Sequence, residues 1–153
     1  IGMPGCGKSS VGRVLADRLG KQFADLDQLV EEEARKPIPR IFSEDGEEAF
    51  RRLESEVIRK IGAATGHVLS AGGGAVTRRE NYAPLHQNGV IVHILRDLSL
   101  LPTAGRPVSQ STDLQELWRK REPLYAAFAD WTVDNAGTIA DAADEIEKEL
   151  SRR

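Results

Sequence analysis

Hydrophobic residues follow two alternating patterns along this chain. Helical spacing and capping residues predict helices over residues 8–19, 27–35, 47–65, 77–87, 112–128 and 138–150, with caps at Thr77 and Thr138. A brief helical turn at Ile41 and Phe42 is expected to end near Gly46. Short apolar runs between them predict strands over residues 22–26, 67–71, 90–95 and 131–133. Helices that alternate with strands build a parallel sheet covered on both faces. We therefore expect one α/β domain over residues 1–153, with three layers, α/β/α, around a five-stranded parallel sheet.

The first helix follows a glycine-rich stretch, Gly2–Ser9, which reads G-x-x-x-x-G-K-S. In this motif the backbone curls around phosphate oxygens, the lysine reaches the β- and γ-phosphates, and the serine binds Mg²⁺. A glycine turn before an ordinary helix is the alternative, but the helical run after Lys8 favours a phosphate-binding loop (P-loop). The residues expected to contact a nucleotide are Gly5, Cys6, Gly7, Lys8, Ser9 and Ser10. Because a P-loop follows a strand and only Ile1 precedes Gly2, we expect a truncated first strand and a longer parent chain.

Two arginines fall on or beside apolar helix faces, where a guanidinium is unfavourable without an anion. Arg51 lies on the flank of such a face, three residues before Glu54. It can form a structural ion pair with Glu54, or it can bind an anionic ligand while Glu54 holds it in place. Arg121 shares a face with Leu117 and Trp118, which predicts a ligand carboxylate or phosphate, with a buried ion pair as the alternative.

Two aspartates flank Leu26, where the first predicted strand ends. Side chains two apart on a strand point the same way, so Asp25 and Asp27 can both face the P-loop, hold Mg²⁺ and accept a substrate proton. A helix N-cap by one of the two, Asp27 being a suitable residue for it, is the alternative, and it does not exclude the functional role. A triple glycine at 72–74 follows a later strand and permits a ligand to approach the backbone closely.

A loop at about residues 97–111 is rich in proline, glycine and hydroxyl residues. We expect this loop to act as a lid. Arg106 within it has two interpretations: it meets a transferred phosphoryl group, or it is a solvated surface arginine.

The amino-acid composition limits the kinds of binding partner and cellular compartment that fit this protein. The 21 Lys and Arg residues against 24 Asp and Glu residues give a net charge of −3, which offers no argument for nucleic acid or an anionic membrane. A single cysteine excludes an internal disulfide and fits a reducing compartment. No apolar run reaches membrane-spanning length.

Taken together, these stretches resemble the shikimate kinase family, which comprises small P-loop kinases of the nucleoside-monophosphate-kinase type. The matching stretches are GMPGCGKSSVGRVLADRLG, FADLD, Ile41–Glu54 with its FRRLE, GGGAV, GRP and REPLY. They cover nearly the whole chain. The P-loop is shared by many folds, whereas DLD, FRRLE, GGG and R-x-P-L-Y in combination are much more specific.

The resemblance implies that ATP phosphorylates the 3-hydroxyl of shikimate, giving ADP and shikimate 3-phosphate, with Mg²⁺ as cofactor. It implies catalytic roles for Lys8, Asp27 and Arg106, with Arg106 also on the nucleotide, and metal binding by Ser9 and Asp25. The residues implied to bind shikimate are Asp27, Arg51, Gly72, Gly73, Gly74 and Arg121, and the helical segment at about 27–65 carries the first two. The protein is then expected to be cytoplasmic, a monomer or a domain of a larger chain, without nucleic-acid or membrane partners.

Two alternatives stay open at this point. A related kinase could act on another small hydroxylated carboxylate such as gluconate, because arginines alone do not separate the two acceptors. A catalytically inactive nucleotide-binding module would be expected to lack Lys8, Asp27 or Arg121, and all three are present.

Overall fold

The computed structural model describes residues 1–102 and 114–153, in which helices and parallel strands alternate as the sequence predicts. The α-helices are Lys8–Leu19 (α1), Leu26–Ala34 (α2), Ile38–Gly62 (α3), Tyr82–His86 (α4), Leu114–Phe128 (α5) and Ile139–Leu150 (α6). The strands are Gln22–Asp25 (β1), His67–Ser70 (β2), Val92–Leu95 (β3) and Trp131–Asp134 (β4). Short 3₁₀ turns lie at Ala75–Thr77, Arg79–Asn81 and Leu98–Leu100. None of the helices within these ranges is long and apolar enough to cross a membrane.

The strands form two parallel pairs. β1 pairs with β2 so that Asp25 lies opposite Ser70, and β3 pairs with β4 so that Leu95 lies opposite Asp134. The carboxyl ends of both strands in a pair therefore meet at one edge. The described residues form these two separate pairs and not the predicted single sheet of five strands.

Ile1 is hydrogen-bonded to β3 in the pattern of a parallel ladder. Its amino group donates to the Val92 carbonyl at 2.8 Å, and its own carbonyl accepts from the Ile94 amide at 2.8 Å. The start of the P-loop is thereby held against the strand pair β3–β4.

Two buried hydrophobic clusters form the core. One joins α1, α5 and α6 to β3 and β4 and includes Val11, Tyr125 and Ile146. The other joins α2 and α3 to the turn after β2 and includes Leu26 and Ile58. Each cluster anchors one wall of the cleft described below, because α1 follows the P-loop and α2 and α3 carry the predicted acceptor residues.

Helix α3 is interrupted at Gly46. This residue has φ 84° and ψ 169°, which are not helical values. A Cβ at Gly46 would meet nothing within 4 Å, so the backbone conformation alone demands glycine there. The sequence predicts this break, since it places a short helical turn before Gly46 and a long helix after it.

Helix caps were predicted with mixed success. The spacing of Thr77 and Glu80 predicts a capped helix, which is wrong: the Thr77 hydroxyl donates to the Gly74 carbonyl at 2.6 Å and closes a 3₁₀ turn. The cap predicted at Thr138 is confirmed, because its hydroxyl accepts from the Asp141 amide at 3.1 Å and the Asp141 carboxylate accepts from the Thr138 amide at 2.9 Å.

Candidate active site

The P-loop adopts the backbone that its glycines permit. Gly5 and Gly7 have φ values of 83° and 99°, in the left-handed region that other residues rarely enter. Helix α1 begins at the next residue, Lys8, so its positive end points at the loop. The arrangement is that of an anion site at a helix N-terminus.

Two side chains brace this loop. The Lys8 ammonium donates to the carbonyls of Gly2 and Met3 at 3.0 and 2.8 Å. The Asn135 amide donates to the Cys6 carbonyl at 2.9 Å, and a Cβ on Gly7 would collide with that same amide. Asn135 was missed in the sequence because it lies just after β4, far from the loop. Its only signal was an uncharged polar residue directly after an apolar strand.

Oxygen atoms gather where α1 meets the ends of β1 and β2. The Ser9 hydroxyl donates to Asp25 Oδ2 at 2.8 Å and lies 3.0 Å from the Ser70 hydroxyl. The parallel register places Asp25 opposite Ser70, which explains why both reach Ser9. Such oxygens suit Mg²⁺, which takes few protein ligands and keeps water and substrate phosphates. In the described ranges no group of three or more His, Cys, Asp or Glu side chains could hold a metal by itself.

The two aspartates lie on different elements. Asp25 ends β1 and caps α2, because its Oδ1 accepts from the Asp27 amide at 3.0 Å. Asp27 lies in the first turn of α2, so the prediction that both share a strand face is wrong. The alternative of an N-cap by one of the two aspartates is confirmed, although the cap is Asp25 and not Asp27. The strand ends one residue earlier than predicted. Both carboxylates nevertheless line the same cleft.

The pKa of Asp27 is raised above its usual value. The surrounding protein, which partly desolvates the carboxylate, is the largest cause, and the charge of Asp25 acts in the same direction. Lys8 and Arg51 oppose this shift through their positive charges. The side chain stays open to the solvent of the cleft, so water can still reach it. A carboxylate with a raised pKa in a cleft suits a proton acceptor.

Arg51 and Glu54 form a buried ion pair. Arg51 Nη1 donates to Glu54 Oε2 at 2.8 Å, and the two residues are 7% and 1% exposed. Burial raises the pKa of Glu54, while the charge and hydrogen bond of Arg51 lower it and the charge of Asp27 raises it further. The predicted pair is therefore confirmed. The guanidinium also lies directly against Gly74, where a side chain would displace it.

Arg121 is 5% exposed, on α5. No carboxylate in residues 1–102 or 114–153 forms an ion pair with it, so the alternative of a buried ion pair is not found in the described part of the chain. Its charge lowers the pKa of nearby Glu54, but the two groups form no ion pair. A buried guanidinium that lines a cleft without an ion pair among the described residues is suited to a ligand anion.

The triple glycine connects the two ends of the site. A Cβ on Gly72 would lie 2.9 Å from Asp27 Oδ1 and 3.0 Å from Glu54 Oε1. A Cβ on Gly73 would lie 2.8 Å from Pro4 Cδ in the P-loop. Only a turn without side chains fits between the P-loop and these carboxylates.

All these groups line one cleft of about 970 Å³. The predicted site residues on its walls are Gly5, Gly7, Lys8, Ser9, Ser10, Asp25, Asp27, Arg51, Gly72, Gly73, Gly74 and Arg121. Cys6 is the exception among the described ones, because its side chain is 1% exposed and belongs to the hydrophobic core. The predicted lid arginine, Arg106, and most of the predicted lid lie outside the described residues.

Known proteins share both this sequence and this architecture. The family model described as shikimate kinase matches residues 4–151. The chain belongs to the shikimate kinase family. The prediction of this family, and with it of a kinase, is confirmed, as is the coarser prediction of a P-loop kinase α/β fold.

Individual relatives of the shikimate kinase family cover the chain almost completely. A shikimate kinase of Parasynechococcus marenigrum is 42% identical over 95% of this chain and 81% of its own length. One of Gloeobacter violaceus is 40% identical over 100% of this chain and 91% of its own. The solved shikimate kinase of Acinetobacter baumannii in complex with shikimate superposes with a TM-score of 0.88 at 32% identity, covering 99% of this chain and 90% of that one.

Proposed function

We propose that this protein phosphorylates the 3-hydroxyl of shikimate with ATP, giving shikimate 3-phosphate and ADP. The observation that carries the proposal is that one cleft is lined by the P-loop, by buried Arg51 and Arg121, and by Asp27. Membership of the shikimate kinase family supports the same acceptor.

The donor half of the site is the P-loop. The amide groups at the start of α1 and the Lys8 ammonium bind the β- and γ-phosphates of ATP. Lys8 then exchanges its hydrogen bonds to the Gly2 and Met3 carbonyls for bonds to phosphate oxygens. Arg106 is proposed to meet the transferred phosphoryl group from the lid.

The acceptor half binds a small carboxylate with hydroxyl groups. Arg51 and Arg121 bind the carboxylate, and the backbone of the triple glycine contacts the ring. Asp27 binds the reacting hydroxyl and accepts its proton, a role that its raised pKa favours. Holding both substrates in line is the main contribution of the protein.

The oxygen set around Ser9 fits Mg²⁺. We propose that the Ser9 hydroxyl ligates the ion and that Asp25 holds it through water. When bound, Mg²⁺ neutralises charge that develops on the phosphate oxygens. If so, Asp25→Asn raises the Mg²⁺ concentration at which ATP binds half-maximally in calorimetry, whereas unchanged Mg²⁺ dependence contradicts the assignment.

The two strand pairs can be joined by a further strand. We propose a five-stranded sheet in which Ile1 belongs to a strand between β2 and β3, and its hydrogen bonds to Val92 and Ile94 of β3 support this proposal. A short apolar extension rich in Val and Ile, fused ahead of Ile1, then raises the melting temperature, and a lysine-rich extension of equal length does not. The protein is proposed to act as a monomer in the cytoplasm, where ATP is available, without nucleic acid as a partner.

An ADP-release assay tests the reaction. We expect turnover with shikimate and little with gluconate, so equal turnover of the two acids, or none with shikimate, contradicts the proposal. Arg121→Ala is expected to raise the KM for shikimate by about 10²-fold, because a charged hydrogen-bonding partner contributes about 1.5–3 kcal/mol. Arg119→Ala, on the exposed face of the same helix, is the matched control and leaves the KM unchanged.

The role of Asp27 is tested by Asp27→Asn. We expect kcat to fall by about 10²–10⁴-fold, the usual contribution of a general base, while the thermal midpoint stays close to wild type. Asp17→Asn changes an exposed aspartate of α1 and serves as the control. A kcat for Asp27→Asn within threefold of wild type removes Asp27 from the mechanism.

A further inference from the structure

Tyr125 is a buried side chain that the proposed reaction does not yet use. It is 0% exposed, on α5 one helical turn after Arg121. Its ring stacks on His93 with centroids 4.9 Å apart and lies 6.4 Å from the ring of Trp118. These neighbours on β3 and α5 fix the ring, so the position of its hydroxyl is fixed as well.

The hydroxyl donates to the Gly73 carbonyl at 2.6 Å, across 52 residues of sequence. The Gly73 carbonyl and the Gly74 amide belong to the same planar peptide group. A bond that fixes the carbonyl therefore also fixes the direction of the Gly74 N–H, which points to the opposite side. Within the described part of the chain, no acceptor is bonded to that N–H.

The Arg121 guanidinium, one helical turn earlier on α5, lies near the same hydroxyl: burial raises the pKa of Tyr125 to about 12, and the charge of Arg121 opposes that rise. A phenol has one hydrogen to donate, and here it goes to Gly73, so the hydroxyl presents only acceptor lone pairs to the guanidinium. The Tyr125 hydroxyl is thus placed beside two parts of the proposed acceptor site, namely the glycine turn and an arginine that forms no ion pair in the described ranges.

We propose that Tyr125 is a positioning residue for the acceptor: its hydroxyl orients the Gly73–Gly74 peptide and the Arg121 guanidinium together, so that both present N–H groups to the carboxylate or hydroxyl groups of the acceptor. The inference rests on the proposed function, because it assigns Tyr125 to the same acceptor site. The P-loop contacts of Lys8 and Ser9 involve other atoms, so the nucleotide side is unaffected.

The Tyr125→Phe variant tests the positioning role, because it removes the hydroxyl group and keeps the stacked ring. We expect the KM for shikimate, and its Kd by calorimetry without nucleotide, to rise about tenfold, because a buried carbonyl and guanidinium lose their shared partner. The KM for ATP stays within twofold. Tyr82→Phe, at an exposed ring that stacks on His86, removes the other tyrosine hydroxyl of the chain and changes neither constant.

A double-mutant cycle with Arg121→Lys separates positioning from simple destabilisation. If the hydroxyl acts partly through the guanidinium fork, Tyr125→Phe raises the shikimate Kd by about threefold or less in the Arg121→Lys background. Equal effects in both backgrounds overturn the link to Arg121. A shikimate KM within twofold of wild type, or parallel loss for both substrates together with a lower melting temperature, overturns the positioning role.

Failure of this inference is distinct from failure of the proposed function. Wild-type protein that neither binds nor turns over shikimate refutes the function. Wild-type protein that does both, with a Tyr125→Phe variant that matches it, refutes only the role of Tyr125.

Discussion

Gly72 lies between two carboxylates of the site, and a methyl group there should displace mainly the more mobile of them. A Cβ at this position would lie 2.9 Å from Asp27 Oδ1 and 3.0 Å from Glu54 Oε1, whereas ordinary contact begins at 3.4 Å. The required displacements are therefore 0.5 Å (3.4 − 2.9) and 0.4 Å (3.4 − 3.0). Glu54 is 1% exposed and held by Arg51, but Asp27 is open to the cleft, so Asp27 moves.

The size of the effect follows from this displacement. A misplacement of about 1 Å can cost about 10²-fold in rate, so half that distance costs about tenfold, or about 1.4 kcal/mol. We expect Gly72→Ala to lower kcat by about tenfold with a nearly unchanged KM for ATP. Because Asp27 can shift into solvent, the free energy of unfolding should fall by less than about 1 kcal/mol.

Steady-state kinetics in both substrates, with urea denaturation of the same samples, measures these quantities. Gly89→Ala is the matched control, since a Cβ there meets nothing within 4 Å and its φ lies outside the left-handed region. A folded Gly72→Ala variant with kcat within twofold of wild type would falsify the assignment of Asp27 to the reacting hydroxyl. A loss of several kcal/mol in stability would show instead that Glu54 moved.

Three further changes probe other parts of the molecule. Glu54→Ala leaves buried Arg51 with only the exposed carboxylate of Glu47, 3.5 Å away, and should lower the free energy of unfolding by about 3 kcal/mol in urea. Exposed Glu56→Ala should not lower it, and a loss below about 1 kcal/mol for Glu54→Ala contradicts a stabilising role of the buried pair. Burial lowers the pKa of His93 to about 4 from 6.5, so the unfolded chain binds the proton first and stability falls as pH drops between these values. The free energy of unfolding should fall by up to about 3 kcal/mol over this pH range. His93→Gln should make the free energy of unfolding less dependent on pH, and an unchanged pH dependence in this variant would mean that other groups cause the acid sensitivity. Thr138→Ala removes the capping box of α6 and should lower the free energy of unfolding by about 1 kcal/mol, which corresponds to a melting temperature about 2–4 °C lower. Exposed Thr65→Ala is the control, and an unchanged melting temperature for Thr138→Ala contradicts the role of the cap.

The sequence predicted best where one residue conflicted with its own surroundings. Helical spacing places Arg121 on an apolar helix face and Arg51 on the flank of one, and both are found buried. The P-loop could be predicted equally well, because its glycines and Lys8 lie within one short segment of the sequence. The cap at Thr138 depends on a residue three positions away, so it too could be predicted.

Contacts between distant segments could not be predicted in the same way. Tyr125 has the spacing of an ordinary core residue, and only the fold brings Gly73 to its hydroxyl. Asn135 and the P-loop carbonyl of Cys6 are likewise joined only by tertiary structure. The predicted relation between Asp25 and Asp27 was wrong because β1 ends one residue early, so Asp27 lies on α2, where the two-residue alternation of side chains along a strand no longer holds.

The break at Gly46 has a consequence for how acceptor preference can evolve. Ile38 and Phe42, before the break, line the cleft with apolar surface, while Arg51 and Glu54 lie after it. Because the helix is not continuous through Gly46, a shift of the first part reaches the second mainly through side-chain packing, such as that of Phe42 on Phe50 with ring centroids 4.7 Å apart. Substitutions at Ile38 and Phe42 can therefore adapt the apolar wall to an acceptor with a different ring while Arg51 and Glu54 are retained. The two parts of α3 can then change at different rates during evolution.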